Sequence, residues 1–276
     1  MKTKTRGNSL EHALEYYKRK GVPFTLVRTG YTATLYTNDA DGREVKHHFN
    51  EGSGSPAVFG IARRLAEMVT AAGVPAIDRT PSYFDLSGVK ERKELPPVCW
   101  CIDLTSAYVQ ALFNLRLIDA AMFQELQRLP KADRLRVVGM LATAKTYFYY
   151  SGERLIGDET KYADTRGAFL AACNLIGDTM DEVKDWPGYM LYWVDGVFFD
   201  REAPEVADHF AAQGFPCKVE RLTGVHWSPS KRFLFFSKEG ERKYLTMPAG
   251  RKPAPQWIAK LLSQPCTDTT PGAATP

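Results

Sequence analysis

The sequence predicts an α+β fold, built on an antiparallel sheet and preceded by a small N-terminal α/β module. Two runs of strand-forming residues carry this expectation, Val98-Cys-Trp-Cys-Ile-Asp103 and Met190-Leu-Tyr-Trp-Val-Asp-Gly-Val-Phe-Phe199. The second reads as a strand, a tight Asp195-Gly196 turn and a returning strand, which is a β-hairpin with a carboxylate at its tip. Three helix-length stretches, Ala57 to Ala72, Leu117 to Leu129 and Ala132 to Tyr149, supply helices beside these strands.

Residues 1–76 form the N-terminal module. Ser9 can cap a helix that runs to about Lys20, and Phe24 to Tyr36 alternates like a strand. Asn38-Asp-Ala-Asp-Gly42 supplies a hairpin turn before a strand from Arg43 to Phe49. The loop Gly52-Ser-Gly-Ser-Pro56 lacks the Lys-Ser/Thr ending of a phosphate-binding P-loop and reads as a flexible connection. His47 and His48 are neighbours on one strand, so they face opposite sides and are not expected to share a metal. Residues 77–97, rich in Pro, charge and turn formers, read as a linker.

Residues 98–248 form the main unit. Asp103 ends its first strand, Ser106 and Tyr108 follow, and Val109 to Leu117 is apolar and helix-like. Pro130-Lys131 splits the next two helical stretches, and Pro suits the first turn of a helix, so a two-helix hairpin is expected at about 117–150. Helical spacing places Lys131, Arg134 and Lys145 on one face of its second helix and Arg136 on the other. Pro204 to Gln213 reads as a helix, and Pro216 to Leu222 and Phe233 to Phe236 as strands. Residues 249–276 hold one short helix around Gln256 to Leu262 and a Thr/Pro/Gly/Ala tail expected to be disordered.

At 276 residues the chain can bury one large core or two modest ones, and 12% aromatic residues favour a packed protein over a disordered one. A net charge of +4 is a mild bias, so any nucleic-acid footprint must come from local clusters. The candidates are Lys2-Thr-Lys-Thr-Arg6, Lys18-Arg-Lys20, Lys90 to Lys93, Lys231-Arg232, Arg242-Lys243 and Arg251-Lys252, each of which by itself reads as a solvated face. The five cysteines form no Cys-x-x-Cys pair, and no His completes a zinc site; no disulfide framework is implied. Cys99 and Cys101 share a strand face and read as buried core thiols. No stretch approaches the ~18 apolar residues of a membrane span, so no membrane partner and a reducing, cytoplasmic compartment are expected.

Asp103 and Asp195 each have an ordinary reading. The first can cap the helix that follows it, and the second can be only a turn residue. Together they place two carboxylates on adjacent strand ends. Such a pair can share divalent metal ions and suits in-line phosphoryl or nucleotidyl transfer.

Asp103-Leu-Thr-Ser106-Ala-Tyr108 resembles the first palm motif of family B DNA polymerases, an Asp followed by Ser at +3 and Tyr at +5, with Val109 where Pro is usual. Val194-Asp195-Gly196 resembles the third motif, with Asp195 at its metal-binding second Asp and Trp193 where the other Asp stands. Arg242-Lys243-Tyr244 is similar to the basic-x-Tyr motif that holds the primer-template, and Asp164 to Val183 looks like the long palm helix. The second motif is matched only by a cation, Arg136 in Arg136-Val-Val-Gly-Met140-Leu-Ala-Thr-Ala-Lys145.

The resemblance implies a polymerase palm with a two-helix fingers insertion, acting on a DNA primer-template and dNTPs. It implies that Asp103 and Asp195 bind two Mg²⁺ (or Mn²⁺) ions and that Ser106 and Tyr108 contact the nucleotide. Arg136 and Lys145 would neutralise triphosphate charge, and Arg242, Lys243 and Tyr244 would bind DNA. It implies no proofreading exonuclease and no full thumb, hence a stripped, phage-like or protein-primed type that works with a replication partner or priming protein. Two other classes stay open: a non-templated or protein-primed nucleotidyltransferase, and a catalytically silent nucleic-acid-binding accessory protein.

Overall fold

In the computed structural model, which describes residues 9–29, 32–39, 41–50, 56–77, 79–90, 92, 95–228, 233–238 and 241–246, two antiparallel sheets and eight α-helices make an α+β protein. The chain runs α1 (Leu10–Lys20), β1 (Phe24–Arg28), β2 (Thr32–Asn38), β3 (Glu44–Asn50), α2 (Pro56–Ala72), β4 (Phe84–Asp85) and α3 (Ser87–Lys90). It continues through β5 (Val98–Leu104), α4 (Ala107–Asn114), α5 (Ala120–Arg128), α6 (Lys131–Gly139), a 3₁₀ turn (Met140–Ala142), β6 (Ala144–Ser151) and β7 (Arg154–Tyr162). Then come α7 (Arg166–Asp181), β8 (Tyr189–Trp193), β9 (Gly196–Phe199), α8 (Pro204–Ala212), β10 (Cys217–Ser228), β11 (Phe233–Lys238) and β12 (Glu241–Thr246). The described residues fall into two compact units, those within 1–78 and 115–171, and those within 79–114 and 172–276.

The first unit holds the sheet β3-β2-β1-β6-β7. Ser9 caps α1 by accepting the His12 N–H at 3.3 Å, a contact worth about 1 kcal/mol. Glu11 in its first turn and Lys18, Arg19 and Lys20 in its last match the helix dipole, and Gly21 ends it at φ 67°. Leu10, Ala13, Leu14 and Tyr17 recur at helical spacing and pack on Phe24, Leu26, Ala33 and Leu35, the inward residues of β1 and β2. Helix α2 buries Val58, Ile61, Ala62, Leu65 and Val69 and packs against α6.

The second unit holds the sheet β12-β11-β10-β5-β9-β8-β4. Its centre is apolar on both faces: β9 and Tyr189 to Tyr192 are wholly buried, and β5 buries Cys99, Cys101, Ile102 and Leu104. That explains runs without polar alternation. Helix α3 lies close on β8, since a Cβ on Gly88 would fall 2.5 Å from the Tyr189 carbonyl oxygen. Only glycine tolerates that approach.

The structure departs from the sequence reading in several places. The expected strand from Phe24 to Tyr36 is two strands, β1 and β2, joined where the Thr29 N–H donates to the Thr32 carbonyl at 2.8 Å. The expected helix from Ala132 to Tyr149 ends at Gly139, and Lys145 lies on β6 instead, so it does not share a helical face with Lys131 and Arg134. Thr146-Tyr-Phe-Tyr-Tyr150 is β-branched and aromatic, which costs rotamer freedom in a helix and packs well on a pleated sheet. Phe148 and Tyr150 accordingly join the α1 core, with Tyr150 stacked on Phe24 at 4.7 Å. The N-terminal sheet is therefore completed by β6 and β7 from the middle of the chain. Within residues 77–97, β4 pairs with β8 and α3 buries Val89, so the segment is not a plain connection. Lys2 to Arg6, Gly52 to Ser55, Lys231-Arg232, Arg251-Lys252, the short helix expected at 256–262, Cys266 and the tail lie outside the described residues.

Candidate active site

Strand β5 runs between β9 and β10, and its last residues are gripped from both sides. The Leu104 N–H donates to the Asp195 carbonyl at 2.8 Å, and the Thr105 N–H to the Pro216 carbonyl at 2.7 Å. Asp103 is the cross-strand partner of Gly196 on β9 and of Lys218 on β10. The carboxylate lies tight against the position a side chain on Gly196 would take: a Cβ there would lie 3.3 Å from Asp103 Oδ1 and 3.4 Å from Cys101 Sγ.

Asp195 sits in the two-residue loop of the β8–β9 hairpin. Trp193 pairs with Gly196, so the loop is Val194-Asp195, one residue earlier than the Asp195-Gly196 turn read from sequence. The Val194 backbone has φ 57°, a region a β-branched residue avoids. It is held there by its N–H, which donates to the Tyr83 carbonyl at 2.7 Å. Ser106 is a second left-handed residue, at φ 54°, and its carbonyl accepts the Gln110 N–H at 3.0 Å to start α4. These are two of the three non-glycine residues with left-handed backbone among the described residues, the third being Arg116, and the two lie beside the aspartates.

Electrostatics tie these residues together. Burial pushes the Cys101 thiol well above its usual range, and Asp103, Cys99, Glu220 and Asp195 add to it, so both aspartates act on one buried sulfur. Burial also raises the Tyr108 phenol, with Cys173, Asp195 and Tyr83 contributing. Tyr108 is thus a neutral, half-buried hydroxyl near Asp195. Asn174, next along α7 from Cys173, keeps its side-chain oxygen buried without a hydrogen-bond partner.

Asp103, Asp195, Ser106 and Tyr108 fall in the second unit, on β5, the hairpin loop and the strand-to-helix turn. Arg136 and Lys145 fall in the first unit, Arg136 on α6 in an ion pair with Asp133 at 3.2 Å and Lys145 exposed on β6. Arg242, Lys243 and Tyr244 lie on β12, with Lys243 exposed opposite Phe236. Trp193 packs against Phe84 at 5.9 Å and onto the apolar cluster around Cys99 and Phe198.

Sequence reasoning missed Tyr83 and Lys218. Tyr83 lies in the segment read as a linker, and its role depends on a carbonyl, which no side-chain pattern reports. Lys218 is brought beside Asp103 only by strand register, which spacing alone does not give. Among the described residues no cluster of three or more His, Cys, Asp or Glu could hold a metal, and no helix is long and apolar enough to cross a membrane. No protein family, curated protein or solved structure matches the chain.

Proposed function

We propose that the chain is a minimal, family B-like DNA polymerase that transfers nucleotides from dNTPs to a primer on a DNA template. The carrying observation is the placement of Asp103 and Asp195 at neighbouring strand ends, Asp103 cross-strand from Gly196 and the Leu104 N–H donating to the Asp195 carbonyl at 2.8 Å. A pair of carboxylates suits Mg²⁺ or Mn²⁺, which commonly take one or two carboxylates and complete their shell with water and substrate phosphates. Asp103 and Asp195 would hold two such ions, which supply a lowered pKa for the attacking hydroxyl and charge neutralisation on the phosphates.

The chain's own groups supply the rest. The primer hydroxyl gives up its proton to water, its oxygen bonds to the α-phosphorus and pyrophosphate leaves with the electrons of the broken P–O bond, and both ends of that displacement must be held in line. Tyr108 stays neutral, so its ring can lie beneath the incoming sugar while its hydroxyl donates a hydrogen bond. Ser106, at the strained turn, offers a hydroxyl to the triphosphate. Lys218, cross-strand from Asp103, adds a cation at the same strand end, and Lys243 on β12 is a contact for the primer-template backbone.

Primer extension with Mg²⁺ or Mn²⁺ and single dNTPs tests the reading, with Asp103→Asn and Asp195→Asn as controls. Incorporation of only the complementary nucleotide, lost in both variants at unchanged melting temperature, is the expected result. Template-independent addition would replace this reading with a terminal or protein-primed transferase. No incorporation under either metal, or full activity in the variants, would overturn it.

A further inference from the structure

The face of the first sheet opposite α1 carries three tyrosines that the Asp103 site does not use. Strand register puts Lys46, Tyr36, Thr25 and Tyr149 in one row across β3, β2, β1 and β6. The adjacent row is His48, Thr34, Val27, Tyr147 and Glu159, and Lys145 faces Lys161 in a third. With strands about 4.8 Å apart and about 3.4 Å per residue, Tyr147 and Tyr149 are spaced about 7 Å along β6, and Tyr36 lies about 10 Å across from Tyr149.

None of these residues belongs to the apolar core that α1 covers on the other face. The tyrosines are half-buried in the sheet surface, and Lys46, Lys145 and Lys161 are exposed. The rings are held in place. The Tyr149 hydroxyl donates to Glu159 at 2.7 Å, the Lys161 ammonium rests 5.1 Å from the Tyr147 ring centre, and Lys46 lies 5.2 Å from that of Tyr36. Glu44 and Glu159 pair with Lys46 and Lys161 at 2.8 and 2.9 Å, which leaves Lys145 and, opposite Ser151, Arg154 as positive charge among the described residues of the face.

We propose that this face binds single-stranded nucleic acid, with Tyr36, Tyr147 and Tyr149 as stacking platforms and Lys46, Lys145 and Lys161 as phosphate contacts. Spaced aromatic rings on an open antiparallel sheet take unpaired bases, because every base has a π-face, while lysines beside the rings meet the backbone. A base stacking on Tyr147 displaces the Lys161 ammonium from the ring toward the phosphate. The threonines between the rings make a poor seat for an apolar peptide, and a duplex hides the base faces that stacking needs. This inference is independent of the aspartate site.

The test is fluorescence anisotropy of the full chain with a labelled twelve-nucleotide oligothymidylate in EDTA, which removes any metal-dependent contribution. Binding that weakens as salt rises, and falls roughly 5- to 100-fold in Tyr147→Ala/Tyr149→Ala, is expected. Tyr147→Phe/Tyr149→Phe keeps the rings and should bind like the unaltered chain, as should Tyr16→Ala, a surface tyrosine on α1. No binding, unchanged binding in the double alanine variant, or equal affinity for a duplex would overturn the proposal. If the alanine pair lowers the melting temperature, photocrosslinking the unaltered chain to a 5-iodouracil oligonucleotide asks the same question. Adducts on Tyr36, Tyr147 or Tyr149 support the face, and adducts confined elsewhere overturn it.

Discussion

Asp103 and Gly196 face each other across β5 and β9, and the carboxylate lies in tight contact with the position that a side chain on Gly196 would take. A methyl group there would sit 3.3 Å from Oδ1, close enough that the carboxylate must give by a few tenths of an ångström. The effect on folding should be small, since Gly→Ala also removes entropy from the unfolded chain, about 0.4–1 kcal/mol in favour of the variant. Gly196→Ala is therefore expected to change stability by less than about 1 kcal/mol yet lower nucleotide incorporation on the order of tenfold. Thermal melts beside single-turnover incorporation check this; equal activity would mean that the carboxylate's position is not what the glycine protects.

Val194 is strained and its neighbour Val197 is not. A β-branched residue at φ 57° costs on the order of 1–2 kcal/mol, which glycine avoids while adding some entropy cost of its own. Val194→Gly should thus leave stability unchanged or raise it by up to about 1 kcal/mol. Val197→Ala, at a fully buried position on β9, should lower it by about 2–3 kcal/mol. Urea titrations of the two variants decide it, and a large loss in Val194→Gly would show that the loop depends on the valine side chain.

Much of the frame was legible because its signals are local. Ser9 at the start of α1, Pro204 at the start of α8 and the apolar period of α2 each mark an element by its own residues. The strand ends bearing Asp103 and Asp195 were legible for the same reason. Lys145 leaves its expected helix because the aromatic run that follows it closes a sheet with β1, well over a hundred residues earlier in the chain. Long-range pairing also decided Tyr83 and Lys218, whose partners are fixed by register and by a backbone carbonyl.

Lys218 is the cross-strand neighbour of Asp103, where side chains of directly opposed residues approach to about 5 Å at the Cβ atoms. It is exposed, so it contributes little to stability, but it lies where substrate phosphates would come to the aspartates. Lys218→Ala is expected to raise the KM for dNTP about tenfold with a smaller effect on kcat, and Lys218→Glu to abolish incorporation. Lys218→Arg should retain most activity. Steady-state incorporation kinetics check the split, and a pure kcat effect with unchanged KM would remove Lys218 from nucleotide binding.

Burial raises the thiols of Cys99 to about 12 and of Cys173 and Cys217 to about 11, from an ordinary value of 9.0. The folded chain therefore holds these protons through a range where the unfolded chain releases them. Stability is complete below about pH 9 and is lost as pH rises toward the folded values, since the native state then binds more protons than the unfolded one. Each thiol that titrates only in the unfolded chain adds a slope of about 1.4 kcal/mol per pH unit. Cys99 is fully buried on β5, so Cys99→Ala should flatten the loss between pH 9.5 and 11 by roughly that slope, beyond any constant cost of the lost sulfur. Urea unfolding at stepped pH measures it. Parallel curves for the variant and the unaltered chain would mean that Cys99 is not held protonated by its burial.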